Sequence, residues 1–184
     1  MGYRHRLAAG IVAVLLATAP ALAGDAAEAL ADAEAAAGAG DAAGAWTEFD
    51  RAVELFWADA PLAFRAASLV GEDGDRAPAT YAGEDVLRVL LAPVGYGWTP
   101  IADAFRIRLV VDVQLATRGG VVLADITDFA TLEHIGPDRT REFAATLSVT
   151  LPELRPDDYE LRLVLRDAAT GKAAAVTLPF RAAP

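Results

Sequence analysis

The sequence contains no cysteine. A disulfide framework is therefore excluded, as are a thiolate nucleophile, a thiolate metal ligand and a lipid carried on an N-terminal cysteine. Histidine is almost as scarce: His5 falls in the first few residues, and His134 is the only one beyond them. Zinc and copper sites draw several His or Cys ligands at defined spacing, so one histidine cannot build one. Positive charge is short as well, with 16 Lys and Arg against 26 Asp and Glu and a formal net charge of -10. A polyanion such as nucleic acid needs a clustered basic surface, and this composition argues against such a partner. Long apolar runs are absent apart from Leu7 to Ala17, and no helix-length pattern separates the later strand-like segments. That disfavours a nucleotide-binding fold of alternating strands and helices.

The first 23 residues, MGYRHRLAAGIVAVLLATAPALA, combine Arg4 and Arg6, a short apolar run, Pro20 and the small-residue end Ala21-Leu22-Ala23. This is the pattern of a secretory signal peptide, cleaved after Ala23. The run is short for a bilayer span of about 20 residues, which favours cleavage over an anchor. The expected location is thus periplasmic or secreted, with no membrane span after cleavage. Cleavage would leave about 160 residues, enough for one domain with its own core. The leader holds no acid, so the remainder would carry a net charge of about −12, which serves solubility.

Residues 24–44 are nearly all Ala, Gly and acid, interrupted by Gly38, Gly40 and Gly44. They are expected to form a partly helical, poorly anchored lead-in. In residues 45–60, Trp46, Phe49, Val53, Phe56 and Ala60 recur at helical spacing before Pro61. An amphipathic helix is predicted there, its aromatic stripe covering the domain that follows.

From Leu62 the period changes to two. Phe105, Ile107, Leu109, Val111, Val113 and Leu115 share one face, and Arg106, Arg108, Asp112 and Gln114 the other. The same alternation runs through Phe143 to Leu151 and through Tyr159 to Arg166. One dry and one wet side per strand point to antiparallel sheets, because parallel strands buried on both faces read as continuous apolar runs. With the runs 62–70, 86–94, 121–129 and 173–180, about seven strands are expected, separated by turn signals such as "GEDGD", "RGG", "IGPD", "RPDD" and "DAATGK". The predicted architecture is a mainly β, antiparallel, immunoglobulin-like sandwich over residues 62–184.

The segment LPELRPDDYELRLVLRDAATGKAAAVTLPF resembles the last two strands of immunoglobulin-like and fibronectin type III-like domains. Leu151, a proline-containing turn and Tyr159 precede an alternating strand, a polar hairpin and a final strand. The resemblance implies a structural role for Tyr159, its hydroxyl bonding back to upstream backbone as a tyrosine corner. The cysteine pair and core tryptophan of antibody domains are missing, so the likeness is to the wider sandwich architecture, whose fold does not specify function. An export signal, a short helix and one sandwich together resemble the small exported proteins of bacteria.

Catalytic patterns are sparse. No G-x-S-x-G elbow occurs, and Ser68 and Ser148 lie in strand-like runs away from His134 in sequence. Glu72, Asp73 and Asp75, and Asp125 with Asp128, are oxygen-rich loop candidates for calcium, but neither group has the spacing of a calcium loop. Solvated turns explain these acids, and no metal or other cofactor is expected. The remaining anomaly is "PVGYGWTP", residues 93–100, where Tyr96 and Trp98 stand among glycines and prolines. Such rings either seal the end of a core or meet a partner. The expectation is that Trp98 is mainly structural and Tyr96 the more exposed, with both as candidate binding residues. The function expected is a non-catalytic binding or accessory module for an envelope or secreted protein, an extended glycan being the second choice of ligand. A carboxylate-based hydrolase without a recognisable motif is the alternative.

Overall fold

The computed structural model describes residues 24–75, 77, 80–81 and 86–183. The expected signal peptide lies outside the described residues. Two compact units divide the chain, one up to Val53 and one from Glu54 onward.

In the first unit, α1 (Gly24–Gly38) is a continuous helix, more regular than the lead-in expected from its glycines. Ala26, Ala29 and Ala33 are buried at helical spacing, so the small side chains are themselves the packing face. The second helix, α2 (Ala42–Asp59), starts three residues before the predicted boundary and takes in Gly44. The reason is Asp41, whose carboxylate accepts the Gly44 N–H at 3.0 Å as an N-cap while its carbonyl accepts Ala45 N–H. A second expectation fails on the same helix. Trp46, Phe49 and Phe56 of the stripe are 67%, 42% and 53% exposed. Trp57, at the border of that stripe beside Val53 and Ala60, is the α2 ring that packs on the core.

From Glu54 onward the chain is an antiparallel β-sandwich, as the alternation predicts. Eight strands are described: β1 (Ala63–Val70), β2 (Val86–Val94), β3 (Thr99–Ile101), β4 (Ala104–Thr117), β5 (Val122–Gly136), β6 (Ala145–Thr150), β7 (Asp157–Asp167) and β8 (Ala173–Ala182). One sheet has the order β1-β2-β6 and the other β3-β4-β7-β8, with β5 on β4. Because β5 and β7 pair with the same stretch of β4, they occupy its opposite edges. Between the sheets lie Leu87, Val89 and Leu91 of β2, Ile107 to Leu115 of β4 at alternate positions, and Leu161, Leu163 and Leu165 of β7. The paired registers Val111↔Leu165 and Val113↔Leu163 keep those apolar positions in phase, as a period of two requires.

The count exceeds the predicted seven because Thr99–Ile101 forms a short strand against Ala104–Arg106. Another difference is β5, which runs on past the expected end at residue 129 to Gly136 and so includes His134. Opposite Asp112 the ladder jumps from Ala130 to Ile126, a bulge in which Asp128 takes φ 53. The bulge shifts the phase of side chains along β5, so one strand looks in sequence like two unrelated pieces.

Candidate functional site

The aromatic loop is built around two glycines with different tasks. Gly95 adopts φ 77, and a Cβ there would lie 2.3 Å from the Pro61 carbonyl oxygen. At Gly97 a Cβ would lie 2.6 Å from Thr170 Cγ2. Both sites demand the missing side chain, one through backbone conformation and close approach and the other through packing.

Between them Tyr96 is only 1% exposed. Its hydroxyl donates to the Thr140 carbonyl at 3.0 Å and accepts the Phe143 N–H at 3.2 Å. Burial pushes the hydroxyl above the ordinary tyrosine range, with the Phe143 N–H pulling the other way. The expected ranking of the two rings is therefore reversed: Tyr96 is the plug, and Trp98 is the ring that solvent partly reaches. The cause is the short reach from Tyr96 to the 140–143 backbone, which gives its polar tip partners inside the fold.

Trp57 completes the cluster. Its indole stacks on Trp98 with centroids 5.7 Å apart and meets Tyr96 edge-on at 5.2 Å. The Trp98 indole N–H donates to the same Thr140 carbonyl at 3.0 Å. Arg141 lies 5.9 Å from the Trp57 ring and 6.0 Å from that of Trp98, and its guanidinium also pairs with Glu54. The Trp57 indole N–H donates to the Tyr96 carbonyl, so every polar handle of the three rings is used within the protein.

A buried carboxylate lies beneath this loop. Asp167, at the end of β7, is 1% exposed and accepts from Gly97 N–H at 2.8 Å, Ala169 N–H at 3.0 Å and the Thr170 hydroxyl. Those donors satisfy a charge that would otherwise be costly to bury. Lys172, the one lysine of the sequence, directs its ammonium at the carbonyls of Ala58 and Ala60, both at 2.7 Å, and caps the C-terminal end of α2. In the sequence, "DAATGK" has the composition of a plain hairpin turn. The available signal was the Asp-x-x-Thr spacing, which favours side-chain bonds to turn backbone.

The residues considered for catalysis do not converge. Ser68 and Ser148 are exposed on β1 and β6, and His134 is exposed on β5 with its ring 6.1 Å from Phe143. Three of the five candidate calcium acids have protein partners: Glu72 pairs with Arg88, Asp125 accepts from Gln114, and Asp128 pairs with Arg166. No group of three or more acids and histidines able to hold a metal occurs among the described residues. Arg166 also forms a two-point pair with Asp112, at 3.0 and 2.8 Å. That pairing, helped by the Asp128 N–H, holds the Asp112 carboxyl below the usual range. Tyr159 donates its hydroxyl to the Arg155 carbonyl at 2.9 Å, four residues upstream, and stacks on Phe180 at 5.6 Å.

Two apolar surfaces stay open among the described residues. Along β5, Val122, Leu123, Ile126 and Ile135 are exposed, continuing from exposed Val121 in the hairpin. β5 is an edge strand that pairs only with β4 among the described residues. Ile126 is opposite buried Val113 and on the same face, so at this position the core face of the larger sheet reaches solvent, while Phe129, Ala130 and Leu132 further along β5 pack against the core. The second surface is a groove of about 700 Å³ in the α1–α2 hairpin, walled by Leu30, Ala33, Ala37, Ala45, Trp46 and Phe49.

No family model and no curated protein matches the chain. Among solved structures, the C-terminal domain of Wzt is similar at 12% identity and a TM-score of 0.45, over 70% of this chain and 77% of that one. A superoxide reductase (neelaredoxin) from Ignicoccus hospitalis is similar at 12% identity and a TM-score of 0.33, over 65% and 82%. The alkylpurine DNA glycosylase AlkC from Pseudomonas fluorescens gives 12% and 0.40, over 79% of this chain and 39% of its own. Likenesses this distant carry no functional argument. The sandwich assignment rests on the strands and their pairing.

Proposed function

We propose that the protein is an exported, non-catalytic binding module and that its partner is a protein engaged at β5. The observation that carries this reading is the set of exposed aliphatic side chains, Val122, Leu123, Ile126 and Ile135, spread along both faces of one edge strand. A long edge strand with apolar side chains is a liability in a protein that stays alone, and a contact surface in one that does not. Partners often use such an edge by laying an extended segment along it. The Tyr96 and Trp98 rings are assigned to stability in this reading, since their polar atoms are engaged internally. Export is supported by the charge pattern and small-residue end of residues 1–23.

The test is capture from envelope extract by purified protein and by an Ile126→Lys, Ile135→Lys variant. Both side chains are exposed, so the melting temperature should stay within about 2 °C of the parent while capture is lost. Capture that survives both substitutions would overturn the β5 assignment. Intact mass of exported material should begin at Gly24; a retained leader would overturn export as a soluble protein.

A further inference from the structure

We propose that the groove of the α1–α2 hairpin receives a basic amphipathic helix from a partner protein. This site is separate from β5 and does not depend on it. The groove has an apolar floor of alanines between the larger side chains of Leu30, Trp46 and Phe49. Trp46 and Phe49 meet edge-on at 5.8 Å and both stay exposed, so they form an open wall of the hairpin. Small residues on the floor and aromatics at the rim suit a cylinder of side chains, as in other helix-in-groove sites. The length of α1, 15 residues, matches a partner of about four helical turns.

Charge selects among occupants. Every charged residue from Gly24 to Val53 is acidic except Arg51, which is paired with Glu48 at 3.2 Å. Glu34 stands in the groove wall itself, and Asp41 and Asp50 are exposed on the same hairpin. A second copy would bring two acidic hairpins together, and an anionic lipid surface would be repelled for the same reason. An apolar stripe flanked by Lys or Arg meets both requirements, because its anchors fill the groove and its cations answer the hairpin's excess of acids.

The experiment titrates the purified protein with a synthetic 14-residue Leu/Lys amphipathic peptide and with its Leu/Glu counterpart, following binding by calorimetry. The Leu/Lys peptide should bind at least about tenfold more tightly than the Leu/Glu peptide. Trp46→Ala should weaken it by about tenfold with the melting curve unchanged, as expected for an exposed anchor. Glu34→Lys should weaken the Leu/Lys peptide and lessen its salt dependence. Equal binding of the two peptides, or no binding of either, overturns the proposal. So does binding that Trp46→Ala leaves intact, which would mark a general attraction of cations to an acidic protein. Trp46-dependent dimerisation in sedimentation, or Trp46-dependent partition onto phosphatidylglycerol vesicles, would assign the groove to another occupant and overturn it too.

Discussion

Trp57 donates its indole N–H to the main-chain carbonyl of Tyr96 at 2.7 Å, while its ring stacks on Trp98 two residues further on. One side chain from the last turns of α2 thus fixes both the backbone and the side chains of a loop at the end of the sandwich. The loop residues answer with hydrogen bonds to Thr140, so three separate segments share one aromatic cluster.

The two loop rings should separate in a stability measurement. Tyr96→Ala removes a fully buried ring and a hydroxyl with two partners, and should cost about 4 kcal/mol or more. Trp98→Ala removes a partly exposed ring and should cost about 2 kcal/mol. Urea melts of the two variants would establish the order, and a larger loss for Trp98→Ala would reverse the roles assigned to them.

Gly95→Ala should destabilise by about 3 kcal/mol, because a Cβ is strained at φ 77 and the Pro61 carbonyl blocks it. At Gly120, where φ is 85 and nothing lies within 4 Å, the same change meets only the backbone strain. Its cost should be nearer 1 kcal/mol. Equal midpoints for the two variants would show that the close approach at Gly95 relaxes.

Asp167→Ala leaves the Gly97 and Ala169 N–H groups without their acceptor, and should cost about 3 kcal/mol. Asp167→Asn keeps one acceptor oxygen and should fall between. Guanidinium melts would rank the three proteins, and indifference to Asp167→Ala would remove the carboxylate from the loop's support.

Tyr159→Phe deletes a single hydroxyl bonded to the Arg155 carbonyl and should cost about 1 kcal/mol. Its ring stacking on Phe180 is retained, so the slope of the denaturant curve should not change. Equal midpoints would show that the hydroxyl contributes nothing net.

Stability should fall at both ends of the pH range for different reasons. Arg166 holds Asp112, and Arg181 holds Asp158, below the ordinary carboxylate value. Their contributions are present above the unfolded Asp pKa near 4 and are lost as pH falls through the lower folded values. Tyr96 is shifted upward by burial, so its contribution is full below about pH 10 and is lost as pH rises toward its folded value. Thermal melts across pH should show Asp112→Asn flattening the acid limb and Tyr96→Phe flattening the alkaline one. An alkaline limb unchanged in Tyr96→Phe would place that transition on another group.

The sandwich was legible because a period of two survives wherever a strand has one buried face. Ile107 to Leu115 and Tyr159 to Leu165 alternate without interruption, and those positions form the core. β5 was legible only up to its bulge, since one residue in the left-handed region at Asp128 breaks the phase that the eye follows. The residue types of the aromatic loop were plain in the sequence, but which ring would be buried was not. That depended on Thr140 and Phe143, more than 40 residues away, supplying an acceptor and a donor to the Tyr96 hydroxyl. The same holds for Asp167 and Lys172, whose partners Gly97 and Ala58 come from distant segments that only the folded chain brings together. It holds in reverse for the α2 stripe, where helical spacing showed which residues share a face but not what that face meets. Periodicity is a local property and is written in the chain. Burial, polar satisfaction and exposure are properties of distant segments meeting, and tertiary packing alone decides them.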